Sequence, residues 1–202
     1  MVRNGGAVAL GVAGVAFAAY PALRPYVDGP QVWAQPWWVP SHLLGVLGFA
    51  LLVPGLVAVR QRLHGTAGEG AARFGVVAAG SGAALVLPYY GAEAFALGRL
   101  TGPDAVAVGE AIRMDPWAVT TFAAGLLALA AAGVAVLVAA RRSGGTVPVA
   151  AAGVFAAGLV LYLPQFFASP GLRIAHGVLL AAGCLLLAAA TRTRARPAPA
   201  PA

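Results

Sequence analysis

The chain has no lysine, one cysteine and only six acidic residues among 202. Each scarcity removes a class of protein. A single thiol, Cys184, permits no internal disulfide and no cysteine cluster for a metal, and its place inside an apolar run marks it as packing. Charged residues make up 9% of the chain against 60% hydrophobic ones, and mean hydropathy is +0.84, far from the values of a soluble domain. Motifs that would announce nucleotide, hydrolytic or covalent haem chemistry are also missing. There is no Walker-type phosphate loop, no H-E-x-x-H zinc helix, no C-x-x-C-H haem attachment and no G-x-S-x-G nucleophile elbow. LVLPYY at 85–90 and LVLYLP at 159–164 are too short to constitute a transporter-like repeat.

What the chain has is apolar length. A helix needs about 20 apolar residues to cross roughly 30 Å of hydrocarbon, and six runs reach that length, at about 5–23, 41–59, 74–98, 117–140, 147–168 and 171–190. The expected fold is all-α, a polytopic membrane bundle of about six transmembrane helices over residues 1–190. In the first run, Arg3 and Ala16-Phe17-Ala18 resemble a secretory signal, but Pro21 follows closely, and the run is read as an uncleaved anchor. Residues 191–202, RTRARPAPAPA apart from Thr191, alternate Pro with Ala and are expected to form a disordered basic cytoplasmic tail.

Thirteen arginines give a net charge of +7, which in a soluble protein would suggest nucleic acid. Here they lie between apolar runs and act as topology signals, so no nucleic-acid partner is expected. With six spans, Arg3, Arg60, Arg62, Arg73, Arg141, Arg142, Arg192, Arg194 and Arg196 fall on the side of the N-terminus, and Arg24, Arg99, Arg113 and Arg173 on the other, nine against four. The imbalance predicts a multi-pass protein of the plasma membrane with both termini cytoplasmic and the lipid bilayer as its first partner.

Polar and aromatic residues are not spread evenly through that topology. All four tryptophans and all five tyrosines fall in or beyond the outer third, whereas a simple aromatic belt occupies both interfaces. His42 opens the second run, Glu93 precedes Arg99 by six residues in the third, and His176 follows Pro170 by six in the last. At 1.5 Å per residue, Glu93 and His176 are each about 9 Å along the helix from these landmarks and share a depth. An ionisable group there is expensive unless it faces protein, pairs or is neutral. Tyr89 and Tyr90 share its face at spacings of four and three, and Arg173 lies three residues before His176. Glu93 is therefore expected to face the interior, paired with His176, Arg173 or a tyrosine. Gln165 completes the candidate ligand-binding set beneath a lid at 24–40. The bland alternatives are an interfacial His42, and Arg113 and Asp115 serving only to bracket a helix start.

HLLGVLGFALL at 42–52, PYYGAEAFALG at 88–98, LPQFF at 163–167 and RIAHGVLLAAGCL at 173–185 together resemble a group of uncharacterised small multi-pass membrane proteins of high-GC actinobacteria. The resemblance covers the second to sixth runs; it implies a helical membrane architecture and carries no activity across.

Three functional classes fit these residues. The first is an outward-opening intramembrane pocket for a small amphipathic or lipid-like ligand. The second is a membrane-embedded enzyme on a lipid or isoprenoid substrate, with Glu93 and His176 as acid and base and Arg173 on an anionic head group. The third is a b-type haem protein with His42 and His176 as axial ligands. The first needs no cofactor and ranks highest.

Overall fold

The computed structural model describes residues 2–192, which form seven α-helices and no strand. These are α1 (Val2–Leu23), α2 (Trp38–Arg62), α3 (Glu69–Gly91), α4 (Ala105–Arg113), α5 (Pro116–Arg141), α6 (Val149–Val160) and α7 (Pro170–Arg192). Five stretches are long and apolar enough to cross a membrane: Gly5–Leu23, Trp38–Arg62, Glu69–Arg99, Pro116–Arg141 and Pro170–Arg192. Thr191 and Arg192, expected in the tail, end α7; the rest of that tail lies outside the described residues.

The run at 147–168 departs from expectation. Its α-helix stops at Val160, followed by a turn and a 3-10 segment at Pro164–Phe167. Proline lacks the amide proton and its ring clashes with the carbonyl four residues back, which is Val160. Twelve residues rise only about 18 Å, short of a hydrocarbon core. The opposite surprise is α4, nine residues with Ala105 and Gly109 buried and Val106 and Val108 exposed. It is too short to span and lies over the end of the bundle. There Gly109 meets the Trp33 indole so closely that a methyl group would overlap it.

The other six helices close into a ring. α1 packs on α2, α2 on α3, α3 on α5, α5 on α6, α6 on α7, and α7 returns to α1. Helices consecutive in the chain pack side by side, α4 excepted, as in an up-and-down bundle. Phe17, Phe49, Tyr90, Phe155 and Tyr162 fill its centre, with edge-to-face or tilted contacts such as Phe17–Phe49 at 5.0 Å and Phe49–Tyr162 at 5.2 Å.

Small residues set the close approaches. From the sequence, the four-residue spacings Gly75–Ala79–Ala83, Ala124–Ala128–Ala132 and Gly153–Ala157 predict packing stripes; Gly75 does lie at the α3–α5 seam, joined by Gly82, and Ala79 and Ala83 are buried. The facing side of α5 is Gly125, Leu129 and Ala132, whereas Ala124 is exposed. On α6 the contact face carries Gly158, which meets Leu180, while Gly153 faces open space. A four-residue spacing identifies a stripe but not the rotation of the helix, and alanine is abundant on every face of this chain.

A methyl group at Gly82 would stand 2.7 Å from Leu129 Cγ and 2.8 Å from the Gly125 carbonyl oxygen, whereas one at Gly80 meets nothing within 4 Å. Gly82→Ala is therefore expected to destabilise the bundle by about 1–3 kcal/mol, while Gly80→Ala leaves it unchanged or more stable. Thermal unfolding in neutral detergent checks the pair, and equal melting temperatures would contradict this seam.

Candidate functional site

The site begins where α3 changes pitch. After Gly91 the chain takes a wide π turn at Ala92–Ala96, in which Leu97 N bonds the Ala92 carbonyl five residues back. A regular helix would direct Leu97 N to the Glu93 carbonyl. That oxygen instead accepts from Trp38 Nε1 at 2.7 Å, tying α2 to α3. Tyr90, Glu93, Ala94 and Leu97 are all buried on one helical face, and Glu93 retains 5% of its exposure. Gly45 on α2 makes room for Tyr90, since a methyl group there would overlap the phenol ring.

The two oxygens of Glu93 have different surroundings. Oε1 accepts from Arg113 Nε at 2.8 Å, a charge-assisted bond delivered by the last residue of α4. Burial opposes the charge on Arg113, but the Glu93 carboxylate, joined by Tyr89 and Glu110, outweighs it and holds the guanidinium above the usual arginine range. A second carboxylate, Glu110, stands 3.5 Å from Arg113 Nη1. Oε2 has no hydrogen-bond partner and lies 3.7 Å from His42 Nε2.

That last contact has a chemical consequence. His42 Nδ1 is 2.7 Å from the Trp38 carbonyl oxygen, which can only accept, so Nδ1 carries the proton. In neutral imidazole Nε2 is then an acceptor, and two acceptors face each other. The arrangement is completed by a proton on one of them or by a donor from a ligand. Trp38 and Tyr20 flank the His42 ring with centroids at 4.3 and 5.4 Å, so its orientation is fixed.

These groups open onto a cavity of about 290 Å³. Tyr89, Tyr90, Phe122, Leu163 and Phe166 supply its apolar lining, and Arg24, His42, Glu93, Arg113 and Arg173 its charged and polar lining. Tyr89 stacks on Phe122 at 4.3 Å and donates to the Arg113 carbonyl at 3.3 Å. Arg173 is held by the chain ahead of it, with Nε donating to the Ala168 carbonyl at 3.1 Å and Nη2 to the Phe166 carbonyl. Arg24 lies over the rings of Tyr26 and Trp38 at 5.6 and 5.2 Å, and its buried Nε has no hydrogen-bond partner.

The candidate set is thus only partly assembled. Glu93, His42, Tyr89, Tyr90 and Arg173 share the cavity, but Glu93 pairs with Arg113 rather than with His176, Arg173 or a tyrosine. His176 Nε2 bonds the Gly158 carbonyl at 2.7 Å, and His176 and Gln165 line a separate, much smaller space. The depth expected to be shared by Glu93 and His176 does not make them partners, because α7 packs on α1 and α6 while α3 packs on α2 and α5.

Tyr90 and Tyr162 occupy the space between the two histidines. Tyr162 lies 5.2 Å from His176, its hydroxyl is 2.9 Å from that of Tyr90, and Tyr90 lies 6.1 Å from His42. With aromatic rings in that gap, His42 and His176 do not fit the axial positions of one haem.

Trp38 opens α2, so the connection over the site is 24–37 rather than 24–40. Asp115 is the helix cap expected, its Oδ1 accepting from Trp117 N and Ala118 N at 2.9 and 3.0 Å. Arg113, weighed as its companion at a helix start, is instead the ion-pair partner. Its position at the end of an unrecognised amphipathic helix was the missing signal.

Arg113→Ala leaves a buried carboxylate with one unpaired oxygen more, and stability is expected to fall by about 3 kcal/mol, the lower end of the range for a broken buried pair because Arg113 is partly exposed. The double variant Glu93→Leu with Arg113→Met removes both charges and should regain most of that loss. Thermal unfolding of the single and double variants tests this, and additive losses would contradict the pairing.

No protein-family model, no curated protein and no solved structure matches this chain.

Proposed function

We propose that the chain is an integral plasma-membrane protein that crosses the bilayer six times, α6 with its 3-10 extension supplying the shortest crossing, with both termini cytoplasmic. In this orientation the cavity opens outward and takes a small amphipathic or lipid-like ligand. The observation that carries the reading is the mixed lining of the cavity, in which aromatic rings stand together with His42, Glu93, Arg113 and two further guanidiniums. A purely structural ion pair needs no such space beside it, and ligand pockets characteristically combine apolar walls with a few convergent polar groups. The unpartnered Glu93 Oε2 supplies an acceptor for a hydroxyl or amine of the ligand.

Two measurements test this. Native mass spectrometry after mild extraction is expected to show a retained lipid-like molecule that is lost in Ala123→Trp, a change that fills the cavity from α5. Retention undiminished by that substitution would place the molecule elsewhere. For orientation, cysteine at the exposed positions 67 and 101 is treated with a membrane-impermeant thiol reagent in intact cells. Position 101 is expected to react and position 67 to be protected, with buried Cys184 as the silent background; the reverse pattern would turn the site inward.

A second reading, an enzyme on a lipid or isoprenoid substrate, is favoured by the facing acceptors of Glu93 and His42, a geometry able to hold and pass a proton. His42 then replaces His176 as the partner. An enzyme is expected to accumulate substrate in Glu93→Gln and product in the wild type, so the retained masses differ. A binding protein retains the same mass in both.

A further inference from the structure

Beside the cavity at Glu93 lies a second, more polar one of about 370 Å³, lined among others by Tyr26, Asp28, Trp33 and Trp38. The two share three residues, Arg24, Arg113 and Arg173, all arginines. A guanidinium cluster therefore marks the boundary between an apolar space within the ring and a polar one beneath α4 and the 24–37 connection.

The acids present do not neutralise that cluster. Glu93 and Glu110 are both engaged by Arg113. Among the described residues, Arg24 and Arg173 have no carboxylate within 4.0 Å, and Asp28, on the wall of the outer cavity, forms no ion pair. Two guanidiniums from different helical ends thus face one junction without a counter-charge. Arg173 is already oriented by the Phe166 and Ala168 carbonyls, and Arg24 by the faces of Tyr26 and Trp38. Arg24 Nε is buried and unpartnered. The first turn of α7, at Pro170, also lines the outer cavity and adds the positive end of a 23-residue helix.

We propose that this junction binds the phosphate head of an amphiphile, with Arg24 and Arg173 clamping the anion and its apolar chain lying in the inner cavity against Phe122, Leu163 and Phe166. Phosphate matches the planar, forked donors of arginine. Placing it at the boundary leaves the head group beside the more polar cavity and the chain in the more apolar one. The Glu93–Arg113 pair then fixes α4 over the head group and is not itself displaced. The proposal rests on the amphiphile reading above and adds the chemical class of the head.

The test uses the full-length protein in a neutral maltoside detergent, titrated separately with decyl phosphate, decanol and inorganic phosphate, with thermal unfolding and native mass spectrometry as readouts. Decyl phosphate is expected to bind saturably and raise the melting temperature by several degrees, and to bind about tenfold more weakly to Arg24→Gln, the loss typical of one charge-assisted contact. The other two compounds should give little effect.

If decanol binds as well as decyl phosphate, the cavity holds an amphiphile but the anion clamp is refuted. If inorganic phosphate stabilises as strongly, the guanidiniums take a soluble anion and the lipid-like chain is refuted. If neither decyl compound binds and Ala123→Trp retains the native molecule, the amphiphile reading itself fails. Should Arg24→Gln not fold, the three-compound comparison on the wild type still decides, and Arg173→Lys, which keeps the charge but loses the fork, is expected to weaken decyl phosphate binding without affecting decanol.

Discussion

A carboxylate carried into an apolar helical ring must be compensated where it lies, because water is not there to do it. Glu93 meets that requirement through Arg113, and Arg113 reaches it because α4 folds back over the end of the bundle. The connection is reciprocal. Without Glu93 the short helix would keep its apolar contacts, Trp33 under Gly109 and Ala105 and Ile112 against the Trp33–Trp38–Leu97 cluster, but would lose its ion pair to the α3 end, and without α4 the carboxylate would have only His42. The π turn belongs to the same arrangement, since it releases the Glu93 carbonyl to Trp38 and so locks the start of α2 beside the carboxylate.

The ring of six helices supplies the frame. Sequential antiparallel packing closes α7 onto α1, and glycines at the seams let backbones approach until glycine carbonyls are within contact distance, as at Gly82 and Gly125. The centre is filled by large aromatic rings, and the two cavities that share Arg24, Arg113 and Arg173 lie at the end where α4 sits. Tyr90 belongs to both regions. Its ring packs in the aromatic centre against Phe49, and it also lines the inner cavity. Rigid packing below and ionised groups above are the combination expected of a site that holds a ligand in a fixed orientation.

The electrostatics of that end favour an anion. Three arginines converge on the junction of the two cavities, and the acids there are committed to one of them. The facing acceptors of His42 and Glu93 lie on the inner side and favour a donor. A ligand with an anionic head and a hydroxyl or amine nearby would satisfy both, which unites the binding and enzymatic readings in a single geometry.

By itself the sequence determined the helical class, the positions of the long apolar helices to within a few residues, and the placing of the tyrosines, the tryptophans and the ionisable residues within the apolar runs toward one end, because depth along a helix is a function of residue number alone. It identified Glu93 as a residue needing a partner and brought His42, Tyr89, Tyr90 and Arg173 into the candidate set. The tertiary structure decided azimuth and neighbourhood. Spacing put Glu93 and His176 at one depth, yet the order of helices around the ring separated them and set Tyr90 and Tyr162 between the two histidines. Arg113, outside the long apolar runs, became the partner because a nine-residue helix turned back across the bundle. A 3.6-residue repeat reports the faces and heights of one helix. Which helix stands opposite is settled only when all of them pack together.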